Sequence, residues 1–389
     1  MFFTIVEASN LAFSVEALTP LQHNRPCRGS SWFSARSIHI SDYRKAQKVK
    51  NLSSFWFGKT VFVAGATGFF GGWLVRKLLQ NGADVVTLVR SDKQNSQFFL
   101  ESLDDSTHVY RGDITDQALI ERIFAEHPIE VFFHAAYGAD VHRVLDEPLE
   151  CFRSSAISTW QILDFLRTNH PNCISVISST DKVYGRQPIP YREEFALQPL
   201  HPYEAAKAAQ DHAAQCYGKV FKCPVAVTRC GNFFGGYDFN LTRLIPGVVQ
   251  SILQGEIPTL RSNGRFTRDF LYIEDAVEAQ LLLAQRLSED ESLYGEAFNF
   301  SYGEHIEVID IVKRICHLLD VPAEVVVNEK STVEIPNMQL SCKKAEQSLN
   351  WKPSYNFTTG LERTVNWYRE QFITSSVKSY NWLERTMAS

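Results

Sequence analysis

Residues 60–71 read Thr60-Val-Phe-Val-Ala-Gly65-Ala-Thr-Gly68-Phe-Phe-Gly71. The first five are apolar or β-branched with no polar alternation, the pattern of a strand buried on both faces. Three glycines follow at G-x-x-G-x-x-G spacing, and then Trp73, Leu74 and Leu78 recur at helical intervals. In such a strand–turn–helix, the first glycine permits the tight turn. The second lets a pyrophosphate approach the backbone, and the third lets helix and strand pack closely. The helix start offers N–H groups and the positive dipole end to phosphate. Placed between a strand and a helix, Gly65, Gly68 and Gly71 point to a dinucleotide site, with Thr67, Phe69 and Phe70 lining the turn.

The same alternation continues downstream. Asp84–Val89, Val131–Ala135, Ile174–Ile177 and Val225–Thr228 read as further strands, with helices around Gln117–Ala125, Thr159–Arg167 and Tyr203–Tyr217. Strands and helices alternating at this spacing form right-handed βαβ crossovers and a parallel sheet covered on both faces. The expected fold class is α/β, a doubly wound (Rossmann) sheet with a smaller C-terminal substrate-binding lobe.

After Asn232 the alternation loosens. Leu244–Leu253, Asp275–Arg286, Ile306–Leu319 and Lys343–Leu349 read as helices, and Arg268–Ile273 as a strand-like run. The expected boundaries are 55–232 and 266–296 for the nucleotide-binding domain, 233–265 and 297–372 for the lobe, and 373–389 for a tail. Residues 1–54 carry seven Lys/Arg against three acids and are rich in serine. They are expected to be a disordered extension, with a targeting segment as the alternative.

Composition excludes several classes. The 389 residues are 44% hydrophobic and 21% charged, enough apolar surface to order most of the chain. A net charge of -5 leaves no electrostatic footprint for nucleic acid. No stretch is apolar for the roughly 18–20 residues that a membrane-spanning helix needs. Eight scattered cysteines form no C-x-x-C and no Cys/His cluster. They are expected to be reduced thiols of a cytoplasmic protein, with neither a disulfide frame nor a metal site.

Three groups carry candidate chemistry. Tyr203-Glu-Ala-Ala-Lys207 puts a phenol and an ammonium on one helix face, four residues apart. A tyrosine serves as a base only when its pKa falls well below about 10, and a nearby positive charge favours the phenolate. Thr180-Asp-Lys182 follows the strand Ile174–Ile177, at the sheet end where doubly wound folds bind ligands. It sets a hydroxyl, an acid and a base side by side. At the end of the second strand, Val89 stands where an acid would bind the ribose hydroxyls of NAD, and Arg90 follows. Arginine there suits the extra phosphate of NADP, so the cofactor reads as NAD or NADP with a lean to NADP. Asp113 and Ile114 are placed to flank the adenine, and Ala135 and Ala136 to line the cleft beside His134, which reads as a packed residue. Trp56, Phe57, Phe69, Phe70 and Trp73 read as packing, Glu289-Asp-Glu291 as a solvated loop, and Lys343-Lys344 as surface.

Together these motifs resemble the extended short-chain dehydrogenase/reductase superfamily of sugar-nucleotide epimerases and dehydratases. They include His134-Ala-Ala136, Ser179–Gly185, Arg229-Cys-Gly-Asn232, Arg268–Asp275 and Ala297-Phe-Asn-Phe300, and the match runs from about Gly58 to Tyr368. Thr-Asp-Lys before Val-Tyr-Gly is similar to CDP-glucose 4,6-dehydratases; Thr-Asp-Glu would suggest the dTDP-glucose enzymes. The resemblance implies that Tyr203 takes the C4 hydroxyl proton while hydride passes to a tightly bound, regenerated cofactor. Thr180 holds that hydroxyl, Lys182 removes the C5 proton, Asp181 protonates the departing C6 hydroxyl, and hydride returns to C6. Lys207 holds the nicotinamide ribose. Asn232 and Arg268 match positions that hold the substrate phosphates. Relatives place Asn and Gly where this chain has Ser155 and Ser158. A homodimer joined through two helices from each copy is also implied. A sugar-nucleotide 4-epimerase or decarboxylase on the same scaffold is the first alternative, and a non-catalytic dinucleotide-binding protein the second.

Overall fold

A computed structural model describes residues 54–136, 143–328 and 334–387, excluding the side chains of Arg143 and of residues beyond Thr374. The expectations for the N-terminal extension, up to Ser53, lie outside the described residues. Seven strands form one parallel sheet: β1 (Thr60–Ala64), β2 (Asp84–Val89), β3 (His108–Arg111), β4 (Val131–His134), β5 (Ile174–Ser178), β6 (Val225–Cys230) and β7 (Ala297–Phe300). Their order is β7-β6-β5-β4-β1-β2-β3. β1, β5 and β6 are buried at every position, which is why they read as continuous apolar runs.

The longer helices are α1 (Phe69–Gln80), α2 (Gln117–Glu126), α3 (Ser158–Asn169), α4 (Pro202–Phe221), α5 (Leu244–Leu253), α6 (Ile273–Leu287), α7 (Val308–Leu319) and α8 (Phe357–Met387). Alternate side chains of each strand feed two cores. Val61 and Val63 join Leu74 and Leu78 of α1 and Ala276 of α6 on one face. Phe62 and Ala64 meet Ile120, Ile162 and Tyr217 from α2, α3 and α4 on the other. At about 25 cal/mol per Å² of apolar area, this double burial is the main term stabilising the sheet.

The lobe is built from short pairings. Asn232–Phe234 runs parallel to Phe270–Tyr272, Ile306–Glu307 antiparallel to Thr267–Arg268, and Val326–Val327 parallel to Thr259–Leu260. Three expectations are corrected. Ala297–Phe300, assigned to the lobe, is the edge strand β7 and pairs with β6 from Val227 to Cys230. Four residues carry too little periodicity to distinguish the two placements. The tail expected from residue 373 continues α8, which runs unbroken to Met387. The sequence reading places no helix there; at the start of α8, Asn356 Oδ1 accepts from Thr359 N at 2.9 Å as a cap. Arg268–Ile273 is two short strands running into α6 rather than one.

From β1 the chain runs outward through β2 and β3, then returns to β4 on the other side of β1. This reversal opens a crevice at the carboxyl ends of the strands, where ligands bind in such sheets.

Candidate active site

The glycine turn sits at the head of the crevice. Gly65 has φ +99°, and a Cβ there would stand 2.7 Å from the carbonyl of Ala135 and 2.8 Å from the nitrogen of Ala136. A Cβ on Gly71 would stand 2.0 Å from the Gly65 oxygen, so α1 lies on the turn as only glycine allows. Gly68 is the N-cap of α1 and no side chain caps it, leaving the first-turn amides without intrahelical acceptors. Phe70 stacks on Phe233 with ring centroids 5.4 Å apart, closing the wall beside the turn. Thr67 is half-buried in the turn. This cradle fits a pyrophosphate without adjustment.

The adenosine end differs from its sequence reading in part. Ile114 is buried in the sheet core. Asp113 Oδ1 accepts from Thr115 N and Oγ1 at 2.9 and 2.7 Å. The Arg90 guanidinium is half exposed and lies 3.8 Å from Asp113 Oδ2 and 3.7 Å from Glu150 Oε1.

The acid–base group stands on a 3-10 turn, Asp181–Tyr184, directly after β5. Thr180 caps the turn, accepting from Lys182 N at 3.4 Å, and its hydroxyl donates to Asp181 Oδ1 at 3.1 Å. Asp181 is 1% exposed, and its Oδ2 has no hydrogen-bond partner. The Lys182 ammonium donates to Asn232 Oδ1 at 3.0 Å and lies 3.5 Å from Asp181 Oδ1. An acid and an amine are thus held together at the crevice floor.

Tyr203 is positioned by the start of α4. His201 is the N-cap and Pro202 occupies the first helical position. Glu204 Oε2 accepts from Leu200 N and His201 N at 2.9 and 3.1 Å, while Tyr203 N donates to His201 Nδ1 at 3.1 Å. This capping box anchors the turn that carries the phenol. One turn on, Lys207 is 1% exposed and donates to Ser178 O at 2.6 Å and to Gln210 Oε1 at 2.7 Å. Burial pushes its ammonium down to about 7.

Thr180, Lys182, Tyr203, Asn232, Arg268, Ala135 and the turn Gly68–Gly71 line one cleft of about 900 Å³. Asp181 and Lys207 lie beneath its floor. Asn232 Nδ2 donates to Asp269 O at 3.4 Å. Arg268 donates to the carbonyls of Thr267 and Ile335, each at 2.9 Å, and its Nη2 to Glu334 at 2.7 Å. His134 is fully buried and lies 3.1 Å from Ser158 Oγ; burial, then Lys207, push it down to about 3, so it packs as a neutral ring. Sequence reading missed His201, Glu204, Gln210 and Arg243, all inside or beside the site. The His-Pro-Tyr-Glu signal was present for the first two. Lys344 is corrected from surface to half-buried: it donates to Ala297 O at 2.8 Å.

A glycine cradle, a Tyr-x-x-x-Lys helix and an acid–base turn at one switch point define an extended short-chain dehydrogenase/reductase. Comparison narrows the class: the family described as GDP-mannose 4,6 dehydratase matches residues 62–364, and the chain belongs to it. Among its relatives, a dTDP-glucose 4,6-dehydratase of Shigella flexneri is 30% identical over 357 residues, covering 83% of this chain and 94% of the relative. The dTDP-glucose 4,6-dehydratase 1 of Escherichia coli K12 is 30% identical over 341 residues, covering 79% and 92%. Among solved structures, the dTDP-glucose 4,6-dehydratase of Bacillus anthracis in complex with NAD aligns with a TM-score of 0.72 at 25% identity, over 80% of this chain and 97% of that one. A Thermotoga maritima UDP-glucose 4-epimerase with UDP-glucose has the same fold, at TM-score 0.72 and 24% identity over 80% and 99%.

Proposed function

We propose that this protein is a nucleoside-diphosphate-hexose 4,6-dehydratase with CDP-glucose as its leading substrate. The observation that carries this is the contact group Thr180–Asp181–Lys182–Asn232, since loss of water across C5–C6 needs a base and an acid beside those carbons and 4-epimerisation needs no such pair there. A lysine in place of the second carboxylate supports CDP-glucose over dTDP-glucose.

Gly65, Gly68, Gly71, Tyr203 and Lys207 would hold a nicotinamide dinucleotide, which when bound supplies a hydride acceptor that later becomes the donor. The chain's own residues move the protons. Tyr203 takes the C4 hydroxyl proton while Thr180 holds that oxygen. The 4-ketone acidifies the C5 proton, and Lys182 removes it. Asp181, through its unpartnered Oδ2, protonates the departing C6 hydroxyl, which leaves as water. Hydride then returns to C6 and Lys182 returns a solvent-exchanged proton to C5, so C4 ends oxidised, C6 reduced and the reaction is redox-neutral. Asn232 and Arg268 would hold the diphosphate, Arg268 by exchanging the Glu334 carboxylate at Nη2 for a phosphate oxygen.

For the cofactor, Arg90 already faces two carboxylates, which would repel a 2′-phosphate. This favours NAD over NADP, against the lean drawn from Arg90 alone. Calorimetric titration should give at least tenfold tighter binding of NAD; equal affinities would refute the preference. A homodimer is supported by the apolar surface of Leu149, Phe152, Ile157 and Trp160 at and before α3, all more than a third exposed.

The deciding experiment is product mass and deuterium content after incubation in heavy water with CDP-glucose, dTDP-glucose, GDP-mannose and UDP-glucose. Loss of one water with deuterium gained at C5 is the expected result. Unchanged mass with an inverted C4 would establish an epimerase instead.

A further inference from the structure

Lys207 is held by a chain of polar side chains that neither the Tyr-x-x-x-Lys motif nor the glycine turn requires. Its ammonium donates to Gln210 Oε1 at 2.7 Å, Gln210 Nε2 donates to Thr159 Oγ1 at 3.0 Å, and Thr159 Oγ1 donates to Ser155 O at 2.7 Å. Gln210 and Thr159 are fully buried. The direction of every link follows from the last one. The Thr159 hydroxyl spends its proton on a carbonyl, so it accepts from the Gln210 amide nitrogen, and the amide oxygen must then face Lys207. The chain ends on a π-helical turn, Arg153–Ile157, at the entry to α3. Such a turn displaces the regular backbone ladder, so the Ser155 carbonyl can take a side-chain donor. Ser155 itself is fully buried. The amide at this site comes from α4.

We infer that Gln210 is a positioning residue that orients and keeps charged the Lys207 ammonium, tying Lys207 to α3 through Thr159. The inference rests on the reading of Lys207 as the lysine of a dinucleotide-dependent dehydratase. A buried ammonium loses its charge unless acceptors surround it, and Gln210 supplies a side-chain acceptor beside the Ser178 carbonyl. Among the described residues, the ionisable groups facing Lys207 include Cys151 from the short helix Pro148–Phe152, His134 of β4, and Tyr203 and Asp211 on its own helix. Cys151 is buried, and its thiol is pushed up by that burial. His134 is neutral. Asp211 is engaged by Arg229, at 2.8 and 2.9 Å. Gln210 is therefore a neutral acceptor in direct contact with the ammonium.

The test uses the full-length protein with lysine labelled at 13Cε, the Lys207 signal being assigned with Lys207→Arg. The wild-type signal should titrate near neutrality. Gln210→Leu, which keeps the volume and removes the acceptor, should move the midpoint down by about one pH unit, and Gln210→Glu should move it up. NAD affinity, measured by calorimetry, should fall about tenfold in the leucine variant and be kept in the glutamate variant. Thr159→Val, which retains Gln210 but frees its amide, should shift the midpoint in the leucine direction by less, and serves if Gln210→Leu does not fold. An unchanged Lys207 midpoint and unchanged NAD affinity in Gln210→Leu would overturn the inference, whatever the variant does to thermal stability. Shifted midpoints in a wild-type background that turns over no sugar nucleotide would support the inference and sink the dehydratase reading.

Discussion

Asp181 and Lys182 are neighbours in sequence with different surroundings. Asp181 is sealed beneath the cleft, while the Lys182 side chain is 29% exposed and reaches Asn232 across the crevice. A base must meet its substrate, and the exposure of Lys182 at the crevice matches that proposed role. Lys182→Met keeps the aliphatic stem and removes the amine. Dehydration should fall at least 100-fold with little change in Tm, because the ammonium sits at a surface crevice and not in the core. Full turnover in a steady-state assay would remove Lys182 from the mechanism.

Asp269 is a second residue with a measurable signature. Its carboxyl accepts from Ser301 Oγ at 2.8 Å and Leu340 N at 2.9 Å, and burial pushes it up to about 7. Its pKa is higher in the fold than in the unfolded chain. It therefore contributes stability that is present below about pH 4 and is lost as pH rises through about 7. Asn at this position carries no charge at any pH. Asp269→Asn should flatten that decline, by an amount on the order of 2–4 kcal/mol across the window. Denaturant melts at several pH values measure the slope, and parallel slopes in the two proteins would refute it.

Among elements, the contact between the β1 turn and α1 leaves no room for a side chain. Gly71→Ala would drive a Cβ into the Gly65 carbonyl, backbone against backbone, with nothing flexible to yield. The helix must shift outward, opening the phosphate cradle. Dinucleotide affinity should drop more than 100-fold and stability by about 2–4 kcal/mol. Calorimetry and thermal melts read the two separately, and a variant that binds NAD normally would show that the cradle is not the site. A buried set of charges ties α4 to the sheet. Arg229 of β6 binds Asp211 of α4 through two nitrogens and donates to Tyr184 Oη at 2.9 Å, and Tyr184 donates to Asn299 of β7 at 2.8 Å. The helix carrying Tyr203 and Lys207 is thus registered against β6 and the edge strand β7. Losing one partner of such a set costs about 3–5 kcal/mol because the other is left charged and buried.

At the scale of the whole molecule, the apolar patch before and on α3 lies on the far side of the helix from its buried face. Trp160 is 43% exposed and edge-on to Tyr217 at 5.5 Å. Trp160→Glu should convert a dimer to a monomer in sedimentation velocity with the fold intact by circular dichroism. A wild-type monomer would remove the interface. No helix among the described residues is long and apolar enough to cross a membrane.

Much of the fold was legible along the chain. β1, β2 and the turn between β1 and α1 could be read in short windows, because a strand buried on both faces is a continuous apolar run and glycine spacing is local. α5 and the helix Lys343–Leu349 were bounded correctly for the same reason. What failed was shorter than a period or decided at a distance. The four residues of β7 took their place from pairing with β6, and α8 has no helix expected from sequence behind it, its last turns falling in the expected tail. The site divides the same way. Tyr203, Lys207, Thr180 and Asp181-Lys182 were visible as motifs on predicted elements. That Lys182 meets Asn232, that Arg268 is held by the carbonyls of Thr267 and Ile335 and by Glu334, and that Gln210 holds Lys207 through Thr159 came only from the packed structure. Sequence by itself determined which segments are strand or helix and which residue types stand at the strand ends, since backbone preference and burial periodicity act over a few neighbours. Tertiary structure alone decided which side chains share a proton or a charge, since such bonds join residues tens of positions apart and form only once the sheet has brought their elements together.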